Sequence, residues 1–267
     1  MKNIQAKKKF GQNFLKDNII VRKIVEAIPK NSNKLIEIGP GLGDLTNLMV
    51  KYKDVRAYEI DTDLIDILSN TFKNEIQSGK LELIHTDVLD IWSKNSTLYD
   101  DKYDLIANLP YYIATNIILQ ALQDNHCEHI MVMVQKEVAQ KFCAKVTNKQ
   151  YSSLSVITQL QAIESKIIFD VPPESFDPIP KVMSSVLYIK KDRTKKFDKE
   201  FNKFLKAAFM QPRKKLSKNL LSVANKVLLQ NIYKELDLSD NIRPHEVDAS
   251  LYHQIYNKVI HNERRKD

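Results

Sequence analysis

Five short apolar runs recur along the first half of the chain: "KLIEI" at 34–38, "VRAYEI" at 55–60, "LELIHT" at 81–86, "YDLIAN" at 103–108 and "IMVMV" at 130–134. Between them lie segments whose apolar residues return every three or four positions, such as "LTNLMVKY" and "TDLIDILSNTF". Short continuous runs suit strands buried on both faces, and the longer period suits helices with one buried stripe. Strand and helix in alternation predict a parallel sheet with crossover helices, an α/β, Rossmann-like architecture. Two later runs, "KIIFDV" at 166–171 and "SSVLYIK" at 184–190, flank a loop holding Pro172, Pro173, Pro178 and Pro180. They bring the expected sheet to seven strands, mostly parallel, with one of the two as an antiparallel edge.

After Lys191 the pattern is helical, in "FNKFLKAAFM", "LSKNLLSVANKVLLQNIY" and "ASLYHQIYNKVI". A boundary in "KKDRTKK" therefore divides a larger domain, 1–192, from a small all-α domain, 193–267. Charge sharpens that division. Of the net +8, the segment from Lys190 onward carries 19 Lys or Arg against 10 Asp or Glu, leaving the rest of the chain at −1. A neutral body with a basic appendage points to a polyanion partner, most often nucleic acid.

Composition removes other classes. A chain of 267 residues with 43% hydrophobic content can bury a full core. Two cysteines, Cys127 and Cys143, are too few for a disulfide framework and lack metal-ligand spacing, so a reducing compartment is expected. No run of apolar residues is long enough to span a bilayer, and the basic start "MKNIQAKKKFGQNFL" is not followed by an apolar leader core, so a soluble cytoplasmic protein without a membrane partner is expected. Nothing in the sequence calls for a dimer, and a monomer is expected.

Chemistry gathers at the ends of the predicted strands. The first strand runs into "EIGPGLGDLT", whose Gly39 and Gly41 allow a tight turn and close approach of a ligand to a helix N-terminus. The spacing is G-x-G-x-G, with no Walker lysine, so a nucleotide-type ligand other than a Walker-bound triphosphate fits. The second strand ends in Glu59, 20 residues after Gly39, where a carboxylate can accept from both ribose hydroxyls of an adenosine. Asp87, after the third strand, stands over the same crevice and could accept from an adenine amino group; either acid could instead be a loop residue or a helix cap.

The fourth strand stops on "NLPYY". The Asn108 side-chain oxygen and the Leu109 carbonyl can together accept the hydrogens of an exocyclic amine. Pro110 stiffens the turn, and Tyr111 offers a flat face for a base. That combination is suited to gripping a planar amine. A proline-terminated strand with a core tyrosine is the plainer alternative.

Taken in order, "FGQNFL", "EIGPGLGDLT", "YEID", "TDVLD", "NLPYYIAT", "MVQKEVAQKF", "LSVITQ", "VPPESFDPIPKVMSSV" and "PRKKLSKNL" resemble the ribosomal RNA adenine dimethyltransferase family, in particular its bacterial members acting on 16S rRNA. The resemblance runs from about Phe10 into the C-terminal helices. It implies a class I S-adenosylmethionine-dependent methyltransferase fold and N6,N6-dimethylation of two adjacent adenines in the 3′-terminal hairpin of 16S rRNA, in the small subunit or its precursor. Carried over by motif, Asn13, Leu15, Gly39, Gly41, Glu59, Asp87 and Asn108 would contact the cofactor. Asn108, Leu109, Pro110 and Tyr111 would hold the target adenine, with Phe176 of "PESFDP" on its other face. Arg213, Lys214, Lys215 and Lys218 would hold RNA phosphates, and no metal is required. The sequence departs from the family pattern at Tyr112, Ala114, Ser152 and Pro212. Two rivals stay open at this stage: a 23S rRNA adenine methyltransferase of the erythromycin-resistance type, and a mainly non-catalytic ribosome-assembly or RNA-binding factor.

Overall fold

The computed structural model describes Ala6, Lys7 and residues 10–263. Nine strands occur among them: β1 (Phe14–Leu15), β2 (Lys34–Ile38), β3 (Val55–Glu59), β4 (Leu81–His85), β5 (Tyr103–Asn108), β6 (Cys127–Gln135), β7 (Ala162–Val171), β8 (Phe176–Asp177) and β9 (Ser184–Lys191). Seven form one sheet in the order β4-β3-β2-β5-β6-β9-β7. The pairs β2–β3, β2–β5, β3–β4 and β5–β6 are parallel, whereas β6–β9 is antiparallel. The antiparallel strand therefore lies inside the sheet and β7 takes the edge, a correction to the expected antiparallel edge. Burial explains the placement. In β9 Val186, Leu187 and Ile189 are fully buried, while β7 exposes Ile163 and alternates through charged Glu164 and Lys166. Only a strand covered on both faces tolerates the first pattern.

β2 is the first strand of the sheet in sequence, and the chain builds β3 and β4 outward on one side before returning to β5 on the other. The direction of winding thus reverses between β2 and β5, which opens a crevice beyond their carboxyl ends. Leu35, Ile36, Leu105 and Ile106 leave no surface exposed, so the strands that bound this crevice are tightly packed on both faces. At their opposite ends the buried Asp104 accepts from the side-chain amides of Asn31 and Asn33, each at 2.9 Å, and contacts His129 Nδ1 at 2.7 Å.

Helix starts are fixed by aspartates. Asp17, Asp61 and Asp87 each accept from backbone N–H groups of the first turn of the helix they precede. Helix Asn18–Glu26 buries Ile20, Val21, Ile24 and Val25, the spacing of one helical stripe. β1 and β8, which no sequence pattern announced, pair antiparallel as Phe14↔Asp177 and Leu15↔Phe176. The helical pattern expected to run through 216–233 is divided into Leu216–Leu220 and Lys226–Glu235, the second capped by Asn225 on Leu228 N–H at 2.9 Å.

Two compact units emerge, one of residues up to Ala139 with Ile163–Arg193, the other of Gln140–Ala162 with the residues from Thr194 onward. The segment 140–162, expected in the first domain, packs with the C-terminal helices. Tyr151 stands edge-on to Phe209 at 6.0 Å, Thr147 N–H donates to the His245 carbonyl at 3.0 Å, and Gln161 Nε2 donates to the Lys196 carbonyl at 3.3 Å. Phe201 and Tyr256, 5.0 Å apart, anchor the same core. Among the described residues no helix is long and apolar enough to cross a membrane.

Candidate active site

The carboxyl ends of β2, β3, β4 and β5 share one cavity, lined by Gly39 and Gly41, Glu59, Asp87, and Asn108 to Tyr112. Asn13 and Leu15 close another wall from the N-terminal segment. The structure therefore brings together every expected residue of the first unit except Phe176. That ring is 3% exposed, belongs to the apolar core with Phe14 and Val171, and does not line the cavity. The β1–β8 pairing, unseen in the sequence, sets Leu15 opposite Phe176 and holds this segment inward. The cavity lining therefore gives no support to Phe176 as a face for the target base.

The glycine loop owes its shape to backbone freedom, with positive φ at Gly39, Gly41 and Gly43. Gly39 has φ +67°, its N–H donates to the Tyr58 carbonyl at 2.8 Å, and a Cβ there would meet only Pro110 at 4.0 Å. Gly43 has φ +89°, and a Cβ would fall 2.5 Å from the Phe72 ring. Gly39 is thus required by conformation, whereas Gly43 is required by both conformation and packing.

Glu59 is 4% exposed and has a structural role in the loop as well as a place in the cavity lining. Its Oε1 accepts from Ile60 and Asp61 N–H, both at 2.9 Å, and Oε2 is 3.4 Å from Gly41 N–H. The carboxylate so ties β3 to the glycine loop, while Oε2 keeps lone pairs for a ligand. Burial raises its pKa above the usual carboxylate range, opposed by those N–H groups. Asp87 is a helix cap, its Oδ1 accepting from Leu89 N–H at 2.8 Å, and the residue also lines the cavity.

Three features carried no recognised signal in the sequence. Glu37, inside the glycine motif, is buried, accepts from Thr46 Oγ1 at 2.6 Å, and has its carboxyl pushed up to about 8 by burial and by nearby Glu59 and Asp44. Its position just before the glycine loop was the available clue. The N-terminal segment is latched: Asp61 accepts from Lys7 Nζ at 2.5 Å and Gln12 Nε2 at 2.9 Å, and Lys7 also pairs with Asp63 at 2.6 Å. Although burial pushes Asp61 up, these donors hold its carboxyl below the usual range. Finally, Asn108 Nδ2 donates to the Asn13 carbonyl at 3.0 Å, which turns Oδ1 away from that carbonyl. No periodicity signals such a pair across 95 residues.

Among the described residues, the cavity is lined by the acids Glu37, Asp44, Glu59 and Asp87 and by no Lys, Arg or His. Such a lining favours a cation and disfavours a phosphate. In the second unit, Arg213, Lys214, Lys215 and Lys218 lie on or beside one turn, and all four are exposed. That turn is pinned by Asn219, whose side chain accepts from Gln211 N–H at 3.0 Å and donates to the Gln211 carbonyl at 3.1 Å.

A family model described as ribosomal RNA adenine dimethylase matches residues 3–261. A relative from Aliarcobacter butzleri named "Ribosomal RNA small subunit methyltransferase A" is 64% identical over 259 residues, which is 97% of this chain and 98% of the relative. A relative of the same name from Sulfurimonas denitrificans is 53% identical, over 96% of this chain and 94% of its own. Among solved structures, a dimethyladenosine transferase from Plasmodium falciparum aligns with TM-score 0.76 at 24% identity, covering 92% of this chain and 98% of that one. The 23S rRNA methyltransferase ErmE aligns with TM-score 0.69 at 19% identity, covering 93% and 100%. These two structural likenesses speak to the fold.

Proposed function

The chain belongs to the ribosomal RNA adenine dimethylase family, and we propose that it transfers methyl groups from S-adenosylmethionine to the N6 amines of two adjacent adenines in the 3′-terminal hairpin of 16S rRNA. It is an rRNA adenine dimethyltransferase. The observation that supports the amine reading best is Asn108, the last residue of a buried strand, with its amide oriented by the Asn13 carbonyl beside an acid-lined cavity.

The cofactor fits the residues present. Its sulfonium and ammonium match the acids that, among the described residues, line the cavity without a basic side chain, and Glu59 and Asp87 would take the ribose and adenine. When bound, it supplies a methyl group already electrophilic on a positive sulfur. The protein's task is then position. The Asn13 carbonyl holds the Asn108 Nδ2 hydrogen, so Oδ1 is the atom left to accept an N6 hydrogen of the target. That bond strengthens as positive charge grows on N6, so it acts more on the transition state than on the bound base. Pro110 and Tyr111 set the base at the cavity mouth, and extrusion of the adenine from its stack, costing a few kcal/mol, is offset in part by the aromatic face. Basic residues of the second unit would hold RNA phosphates.

Two results follow for the cofactor. Glu59→Gln should weaken cofactor binding by about tenfold, since a charge-assisted acceptor becomes neutral while the shape is kept; calorimetry on the full chain checks this. Glu37 with its carboxyl near 8 holds a proton at neutral pH, a proton the unfolded chain releases near 4.5, so its contribution to stability falls as pH rises across that window. A cation in the cavity favours ionised Glu37. S-adenosylmethionine binding near pH 7 is therefore expected to release a proton, seen as buffer-dependent heat, and S-adenosylhomocysteine, with its neutral sulfur, should release less. Glu37→Gln should remove the difference, and equal release for both ligands in the unaltered protein contradicts the assignment.

The functional reading itself is tested by counting transferred label. Small-subunit particles lacking the two modified adenines should accept about four methyl groups each, because each N6 amine has two hydrogens to replace. Saturation without transfer would leave only an RNA-binding factor.

A further inference from the structure

Resting on the reading that Tyr111 stacks against the target adenine, we propose that Ser184 is a positioning residue for the reaction, its hydroxyl tethering the Tyr111 phenol and fixing the plane of the ring. The two oxygens are 2.7 Å apart. Tyr111 is half-buried and lines the cavity, whereas Ser184 is fully buried at the start of β9.

The tether has a fixed anchor. Ser184 is in register with Gln135 of β6, and Lys136 N–H donates to the Met183 carbonyl at 3.0 Å. Next to it, Ser185 Oγ donates to Asp170 Oδ1 at 2.6 Å, and Asp170 Oδ2 takes Lys136 Nζ at 2.6 Å. The hydroxyl therefore sits on a backbone held from both sides. Val186, Leu187 and Ile189 farther along the strand are buried apolar residues, whereas the two fully buried hydroxyls at its start, Ser184 and Ser185, each have a hydrogen-bond partner. At the other end of the ring, the turn after Pro110 is closed by Ile113 N–H on the Pro110 carbonyl at 3.2 Å. Tyr111 is thus restrained at its backbone and at its phenol, with a face left for a ligand. A ring that already occupies its stacking plane loses less freedom when the base arrives, and small errors in the placement of N6 against a transferring methyl are heavily penalised.

Kinetics of the full-length protein on small-subunit particles lacking the modification, with cofactor affinity measured separately, test the tether. Ser184→Ala and Tyr111→Phe should each lower kcat by about five- to tenfold, leave cofactor Kd unchanged, and show no further loss when combined. Ser184→Thr, which keeps the hydroxyl, should retain most of the rate. Losses that multiply in the double variant, or a Ser184→Ala protein as fast as the original, overturn the tether. Tyr111→Ala separates stacking from tethering: unchanged turnover there would remove the stacking reading, and the tether with it. A loss in Tyr111→Ala without one in Ser184→Ala removes the tether alone.

Discussion

Asn108→Ala is expected to reduce methyl transfer by about 10²–10³-fold while leaving RNA affinity within about twofold, the loss characteristic of a group that acts on developing charge. The residue ends β5, and its side chain donates to the Asn13 carbonyl at 3.0 Å in the cavity wall. Truncation removes both the acceptor for the amine and the bond that orients it. Asn108→Asp keeps an acceptor but loses the donor and sets a carboxylate against a carbonyl oxygen, so an intermediate rate is expected. Single-turnover transfer and filter binding, measured on the same preparations, separate chemistry from association. Equal loss of transfer and RNA binding would reject the assigned role.

Replacement of Arg213, Lys214 and Lys215 together by alanine is the second large effect. All three are exposed on a turn pinned by Asn219, so their removal should leave the helices intact. Every phosphate that a basic side chain no longer neutralises lowers the slope of log affinity against log salt by about 0.7–0.9, so three such phosphates lower it by at least about 2.1. Extrapolated from molar salt, that is about 50-fold in affinity at roughly 0.15 M, shrinking as salt rises. An unchanged slope would separate this turn from the RNA.

Much of the site was legible because it lies where local rules are strongest. Strands buried on both faces announce themselves as apolar runs, and the residues at or just past their carboxyl ends, Gly39, Glu59, Asp87 and Asn108, are placed by the sheet whatever the helices do. What stayed hidden depends on pairing across long separations. β1 and β8 are two residues each, too short for any periodicity, yet their register keeps Phe176 in the core. Lys7 and Gln12 meet Asp61, and Tyr111 meets Ser184, across separations of 49 to 73 positions. The segment 140–162 joined the C-terminal unit for the same reason: Tyr151, Thr147 and Gln161 read as ordinary residues until Phe209, His245 and Lys196 are beside them. The helix expected over 216–233 was broken where one side chain, Asn225, caps a fresh start inside an apolar spacing that continued on either side.

The most direct measurement maps the modified bases. The purified protein would be given labelled S-adenosylmethionine with equal amounts of small and large ribosomal subunits that lack adenine dimethylation, and the labelled positions read by primer-extension arrest. Dimethylation at two adjacent adenines of the 16S 3′-terminal hairpin, with the large subunit unlabelled, is the predicted result. Label at a 23S adenine, or stable binding to the small subunit with no transfer, would contradict it.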